Sequence, residues 1–171
     1  LNPEGLPRVL VNQTYAAKIS GAASKEDDKI YIAECLQNAN WLTRSLEQRA
    51  RTILKVASEI VRQQDAFFAS GIEHLRPLNL KTVADAIGMH ESTISRVTSN
   101  KFMATHRGLF EFKYFFTAAI PSNDHGEAHS AESVRHRIKQ LIDHEKPTDV
   151  LSDDAIVSCL KQANIDIARR T

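Results

Sequence analysis

Cysteine appears only twice in the 171 residues, as Cys35 and Cys159. Two thiols that far apart give neither a disulfide framework nor a cysteine metal knuckle, and they suit a reducing cytoplasm. Glycine and proline are scarce as well, six and five residues, which favours helices over tight β turns. No long apolar run or leader-like segment is present, so a membrane-spanning helix is not expected. An excess of one charge is also missing. Lys and Arg number 22 against 21 Asp and Glu, a net charge of +1, so no strongly basic surface exists. Any DNA affinity of this chain alone should be modest and salt-sensitive. There is no glycine-rich phosphate loop and no convincing Ser/His/Asp set. An enzyme is therefore not expected, and no cofactor is implied. Seven histidines are scattered. His125 and His129 stand four apart but lack a third ligand, and a solvated loop is the better reading than a metal site.

The chain is organised around residues 78–97. Val83, Ala84 and Ile87 give a first helix a buried face, and Gly88 sits where a sharp turn favours positive φ. Ile94 and Val97, three apart, seat a second helix on the first. That leaves His90, Glu91, Ser92, Ser95 and Arg96 facing outward. This is a helix-turn-helix pattern, and in a DNA-binding unit such a face enters the major groove. Arg96 can hydrogen-bond guanine edges, and the serines can meet base edges or phosphate. A helical hairpin that merely packs would show the same spacing; the polar outward face favours DNA. A zinc-protease reading fails, because position 94 is Ile where the second histidine would stand.

Three runs then carry a family resemblance. Met89-His90-Glu91-Ser92-Thr93-Ile94-Ser95-Arg96-Val97 is followed by Arg107-Gly108-Leu109-Phe110-Glu111-Phe112-Lys113-Tyr114-Phe115-Phe116, and the chain ends on Ala168-Arg169-Arg170-Thr171. In this order they resemble the sigma-54 (RpoN-type) family of bacterial RNA polymerase sigma factors, the last run matching the start of its C-terminal signature. Phe112 stands where that family usually has Leu, and His106 where Pro is frequent. The resemblance implies a C-terminal portion of such a factor, tying core RNA polymerase to double-stranded promoter DNA. It implies that the helix-turn-helix addresses the minus-twelve element and that the C-terminal domain, when complete, addresses the minus-twenty-four element. It also implies that the ATP-driven activator acts only through regions absent here.

Within that frame, His90, Glu91, Ser92, Ser95 and Arg96 are the base-facing candidates, with Arg96 the first choice for a specific contact. Lys81, Thr82, Lys101 and Arg107 are the phosphate candidates. Arg169, Arg170 and Thr171 match the C-terminal signature, and Trp41 and Arg49 lie where the family's long helix reaches toward polymerase and the start region. Two other classes stay open: a dimeric operator-binding regulator joined through its long helix, and a helical adaptor that touches only protein.

The fold expected is all-α. Residues 1–23 read as irregular chain with one turn of helix near Thr14–Lys18; the family resemblance implies that they are the end of a polymerase-binding region. Residues 24–71 read as one extra-long helix, with Ser24 near its start and Gly71 as its stop. Its apolar stripe runs through Ile32, Leu36, Ala39, Leu46, Ala50, Ile53, Ala57, Ile60 and Phe67, with Thr43 and Gln64 filling gaps. About forty-five helical residues would span roughly 65 Å. Residues 72–120 form the helix-turn-helix region, and the aromatic run from Phe110 to Phe116 reads as a helix that packs behind it, with Leu109, Phe112 and Phe116 recurring at helical spacing as its core face. A base-stacking platform is the less favoured reading. Residues 121–171 form a C-terminal domain of three helices after a polar linker from Pro121 to His129. Val134, Ile138, Leu141 and Ile142 are expected inward, Ser152 as a cap, and Asn164 as a left-handed turn residue.

Overall fold

The structure is a computed structural model that describes residues 2, 9–122, 128–145 and 150–167. Described residues are mostly helical, as the composition suggested, with two small antiparallel hairpins added. The chain divides into two compact units, 1–54 and 55–171, and the division falls inside the long helix.

In the first unit, α1 runs Gln13–Ala22, and the Asn12 side chain accepts from the Tyr15 N–H at 2.9 Å to cap it. The expectation of a single turn here is corrected to ten residues. Asn12 is the missed signal, an N-cap set just ahead of the helix formers Ala16 and Ala17. The long helix α2 spans Glu26–Gln63, with Glu26, Asp27 and Asp28 in a first turn whose dipole favours them. Its apolar stripe is shallow here. Leu36 is half-buried, Ile53 is buried, and Tyr31, Trp41 and Leu42 are exposed.

In the second unit, α2 buries Val56 and Ile60 completely. It stops at Gln63 rather than running on to Gly71. Gln64 breaks the helical dihedrals, and α3 resumes over Asp65–Ser70. The cause lies in the Gln64 side chain, which is fully buried. Its amide donates to the Arg76 carbonyl at 2.8 Å and accepts from the Arg76 N–H at 3.0 Å. A single side chain thus pairs both backbone groups of a residue on the returning strand of chain. Gly71, at φ 108, then ends α3 in a conformation that side chains rarely adopt.

Helices α4 (Leu80–Ile87) and α5 (Glu91–Thr98) follow. After them, the expected aromatic helix is replaced by a hairpin of β1 (Phe102–Thr105) and β2 (Gly108–Glu111) and a 3-10 turn over Phe112–Phe115. Gly108 at φ 127 closes the hairpin turn, which helical spacing arguments ignore. The core-packing part of that reading holds for buried Phe112 and in part for half-buried Phe116, whereas Leu109 is 69% exposed, and Phe115, outside that spacing, is the other buried ring. Phe67 sits at the centre of the aromatic cluster, with Phe68, Phe110 and Phe115 edge-on at 5.2–5.5 Å. These rings pack on one another rather than lining an open stacking face.

Ala119–Ile120 (β3) pairs with His129–Ser130 (β4), so the ends of the polar linker are tied together. Ser130 then caps α6 (Ala131–Asp143), accepting from the Ser133 N–H. Ser152 caps α7 (Asp153–Gln162) in the same way. Val134, Leu160 and Ile165 form a small core, with Ile120, Ile138 and Ile156 packed on it. Asn164 is left-handed at φ 61, as expected. Ile142, expected inward, is 48% exposed: α6 turns a narrower face to its core than the four apolar positions imply. His125 and the end of the chain from Ala168 lie outside the described residues.

Candidate nucleic-acid interface

The pair α4–α5 is held by its ends. Asn79 caps α4, accepting from the Thr82 N–H at 2.7 Å and from the Thr82 hydroxyl at 2.9 Å. At the other end Gly88 is left-handed, φ 65 and ψ 42. Its N–H donates to the Asp85 carbonyl, and the Met89 N–H to that of Ala84, so both closing bonds of a Schellman turn are made. His90 then caps α5. Val83 and Ala84 on one helix and Ile94 and Thr98 on the other are buried. Ile87 and Val97, expected fully inward, are half-buried. Thr98 fills the place missed by a purely apolar reading, satisfying its hydroxyl on the Ser95 carbonyl.

The opposite face carries His90, Glu91, Ser92, Ser95 and Arg96, all exposed. Among the described residues, Arg96 makes no side-chain hydrogen bond or ion pair, so its guanidinium is available. His90 is engaged with its own helix. Its Nδ1 lies 3.2 Å from the Ser92 backbone nitrogen and 2.8 Å from the Ser92 hydroxyl.

The phosphate candidates differ from one another. Lys81 is exposed at the start of α4, and the hydroxyl of neighbouring Thr82 is taken up by Asn79. Lys101 is half-buried, with Nζ 3.3 Å from the Ser99 carbonyl. Arg107 spends its guanidinium on α3, where Nε donates to the Phe68 carbonyl at 2.8 Å and Nη2 to that of Ala69 at 2.6 Å. His106 Nε2 lies 2.8 Å from the same Phe68 oxygen. Two side chains from the hairpin turn thus satisfy the open carbonyls at a helix C-terminus, where positive charge is favoured.

Trp41 and Arg49 lie on α2 in the first unit, both exposed. Arg169, Arg170 and Thr171 fall outside the described residues. No group of three or more metal-ligating side chains occurs among the described residues.

Known proteins resemble this chain in sequence and in fold. A family model described as the sigma-54 DNA binding domain matches residues 29–171. The chain is 70% identical over its whole length to RNA polymerase sigma-54 factor 1 of Bradyrhizobium diazoefficiens, covering 35% of that protein. It is 68% identical to the RNA polymerase sigma-54 factor of Rhizobium meliloti, covering 34% of it. The chain thus spans about a third of the length of these relatives. Among solved structures, Aquifex aeolicus sigmaN bound to promoter DNA is similar over 98% of this chain and 49% of that one. The TM-score is 0.59 and the identity 26%. With most of its length matched by that family model, the chain belongs to the sigma-54 family and carries its DNA-binding domain.

Proposed function

We propose that this chain positions a bacterial sigma-54 factor on promoter DNA, with α5 laid in the major groove of the minus-twelve element. The observation that carries this reading is the face of α5. Five polar side chains point to solvent from a helix whose other side is buried, and the one cation among them has no partner within the described residues. Arg96 takes the base contact, while Lys81 and Lys101 meet phosphate. Arg107 is better assigned to holding the hairpin on α3 than to phosphate, given its carbonyl partners. The part of the chain built on α6 and α7 addresses the minus-twenty-four element, with Arg169, Arg170 and Thr171 among its contacts. Core RNA polymerase is the protein partner. Exposed Trp41 and Arg49 on the long helix are the residues assigned to it and to the start region. The chain is a binding subunit with no chemistry of its own, working in the cytoplasm.

Anisotropy titrations of a promoter duplex and a scrambled duplex, each with and without core polymerase, test this. Tighter binding to the promoter duplex, strengthened by polymerase and weakened steeply by salt, is the expected result. Equal binding to both duplexes in every condition would contradict it.

A further inference from the structure

The N-terminal cap of α5 is unusual in being a histidine, and its geometry fixes more than the helix start. A backbone N–H can only donate. The Ser92 N–H is aimed at His90 Nδ1 from 3.2 Å, so Nδ1 must be the accepting, unprotonated nitrogen. The Ser92 hydroxyl, 2.8 Å from the same nitrogen, is then oriented as a second donor to it. In the neutral ring the proton therefore sits on Nε2.

From this we infer that His90 is a base-reading residue that acts as a neutral imidazole, donating from Nε2–H to a purine N7 in the major groove. The inference rests on the placement of α5 proposed above. It goes further in naming the protonation state, the donating atom and the accepting atom. The side chain is exposed at the leading end of α5, the end that meets base edges when such a helix enters the groove. Capping holds the ring against its own helix, so little rotamer freedom is left to lose on binding. Fixing the tautomer removes the choice that an unrestrained histidine would have: one nitrogen is committed to the protein, and the other presents a donor and never an acceptor. N7 is an acceptor on both purines and cytosine offers only its N4 donor, so His90 distinguishes a purine from cytosine, while Arg96 one turn and a half further on selects guanine.

The test uses the 171-residue chain and a duplex of the downstream promoter element in which each purine in turn is replaced by its 7-deaza analogue. That change deletes N7 and leaves the pairing edge intact. Anisotropy is recorded for the unaltered chain, His90→Asn, His90→Ala and Arg96→Ala, and melting temperatures are recorded alongside. Asn is a strong N-cap, so His90→Asn should melt like the unaltered chain yet bind the natural duplex about tenfold more weakly. One 7-deaza purine should weaken the unaltered chain by a similar factor and leave His90→Asn unaffected. His90→Ala should lose both melting temperature and affinity. If His90→Asn binds every duplex as the unaltered chain does, His90 is a cap and nothing more, and the inference falls. It falls equally if no single purine accounts for the loss. Arg96→Ala separates the two readings: if it alone loses discrimination, α5 remains the reading helix and only the inference fails. If neither variant changes binding, the placement of α5 fails with it. Independently of any variant, nitrogen-15 NMR of the histidine ring in the unaltered chain should show the Nε2–H tautomer. A proton on Nδ1 would overturn the inference directly.

Discussion

Gln64 shows how much one side chain can hold. It lies on the stripe of apolar positions along the long helix, as if a leucine were missing, and it is completely buried there. Its two bonds to the Arg76 backbone replace a strand partner. Gln64→Leu would match the stripe but remove both bonds that the Gln64 amide makes to the Arg76 backbone, the one it donates and the one it accepts. A loss of about 2–4 kcal/mol is expected in urea or thermal unfolding. Glu59 is a second buried polar group nearby, bound by Arg62 through two hydrogen bonds of 2.7 and 2.9 Å and by Gln63 at 2.7 Å. The Arg62 bonds hold its carboxyl below the usual carboxylate range, against the opposing pull of burial. With its proton affinity lowered on folding, Glu59 contributes stability above the unfolded carboxylate value of about 4.3. That contribution fades as pH falls through the lower, folded value. Glu59→Gln should therefore lower the melting temperature at neutral pH and flatten its decline in acid. An unchanged pH profile would remove Glu59 from the account. At this scale the sequence was informative where one residue type has one use. Gly88 and Asn164 were readable as left-handed positions, and Ser152 as a cap. His90 as a cap was not, because histidine rarely serves as one and only the placed Nδ1 reveals it.

Elements were legible in proportion to their regularity. Helices α4 and α5 lie where Val83, Ala84, Gly88 and Ile94 indicated, since period and turn residue agree. The aromatic run from Phe110 misled because Leu109, Phe112 and Phe116 share a helical spacing by chance. Gly108 and the pairing of Phe102–Thr105 with Gly108–Glu111 decide the matter in favour of a hairpin, and strand pairing is non-local. The long helix was overextended by one segment because nothing in its own sequence announces the demand that Arg76 makes on Gln64. The hairpin in turn explains Arg107. A guanidinium that completes the end of α3 should matter to stability and not to salt dependence. Arg107→Ala is expected to cost about 1–3 kcal/mol in unfolding, while the slope of log affinity against log salt stays put. A shallower slope with unchanged stability would return Arg107 to the phosphate contacts.

For the whole molecule, the weak net charge sets the terms. Residues 77–120 carry five Lys and Arg against three acidic groups, and 121–171 carry seven against nine. The proposed DNA-binding role thus depends on a few placed contacts rather than on a broad basic field, and Arg96 is the contact on which the proposal turns. A paired hydrogen bond from its guanidinium to guanine would be worth on the order of 1–3 kcal/mol of discrimination. A phosphate contact from Lys101 would offer none. The measurement is anisotropy of Arg96→Ala and Lys101→Ala on the cognate downstream element and on the same duplex altered at the contacted base, at two salt concentrations and with core polymerase present. Arg96→Ala should lose roughly ten- to a hundredfold on the cognate duplex and little on the altered one, whereas Lys101→Ala should weaken both alike and flatten the salt dependence. Equal losses on both duplexes for Arg96→Ala, or none on either, would contradict the claim that this face of α5 reads the promoter.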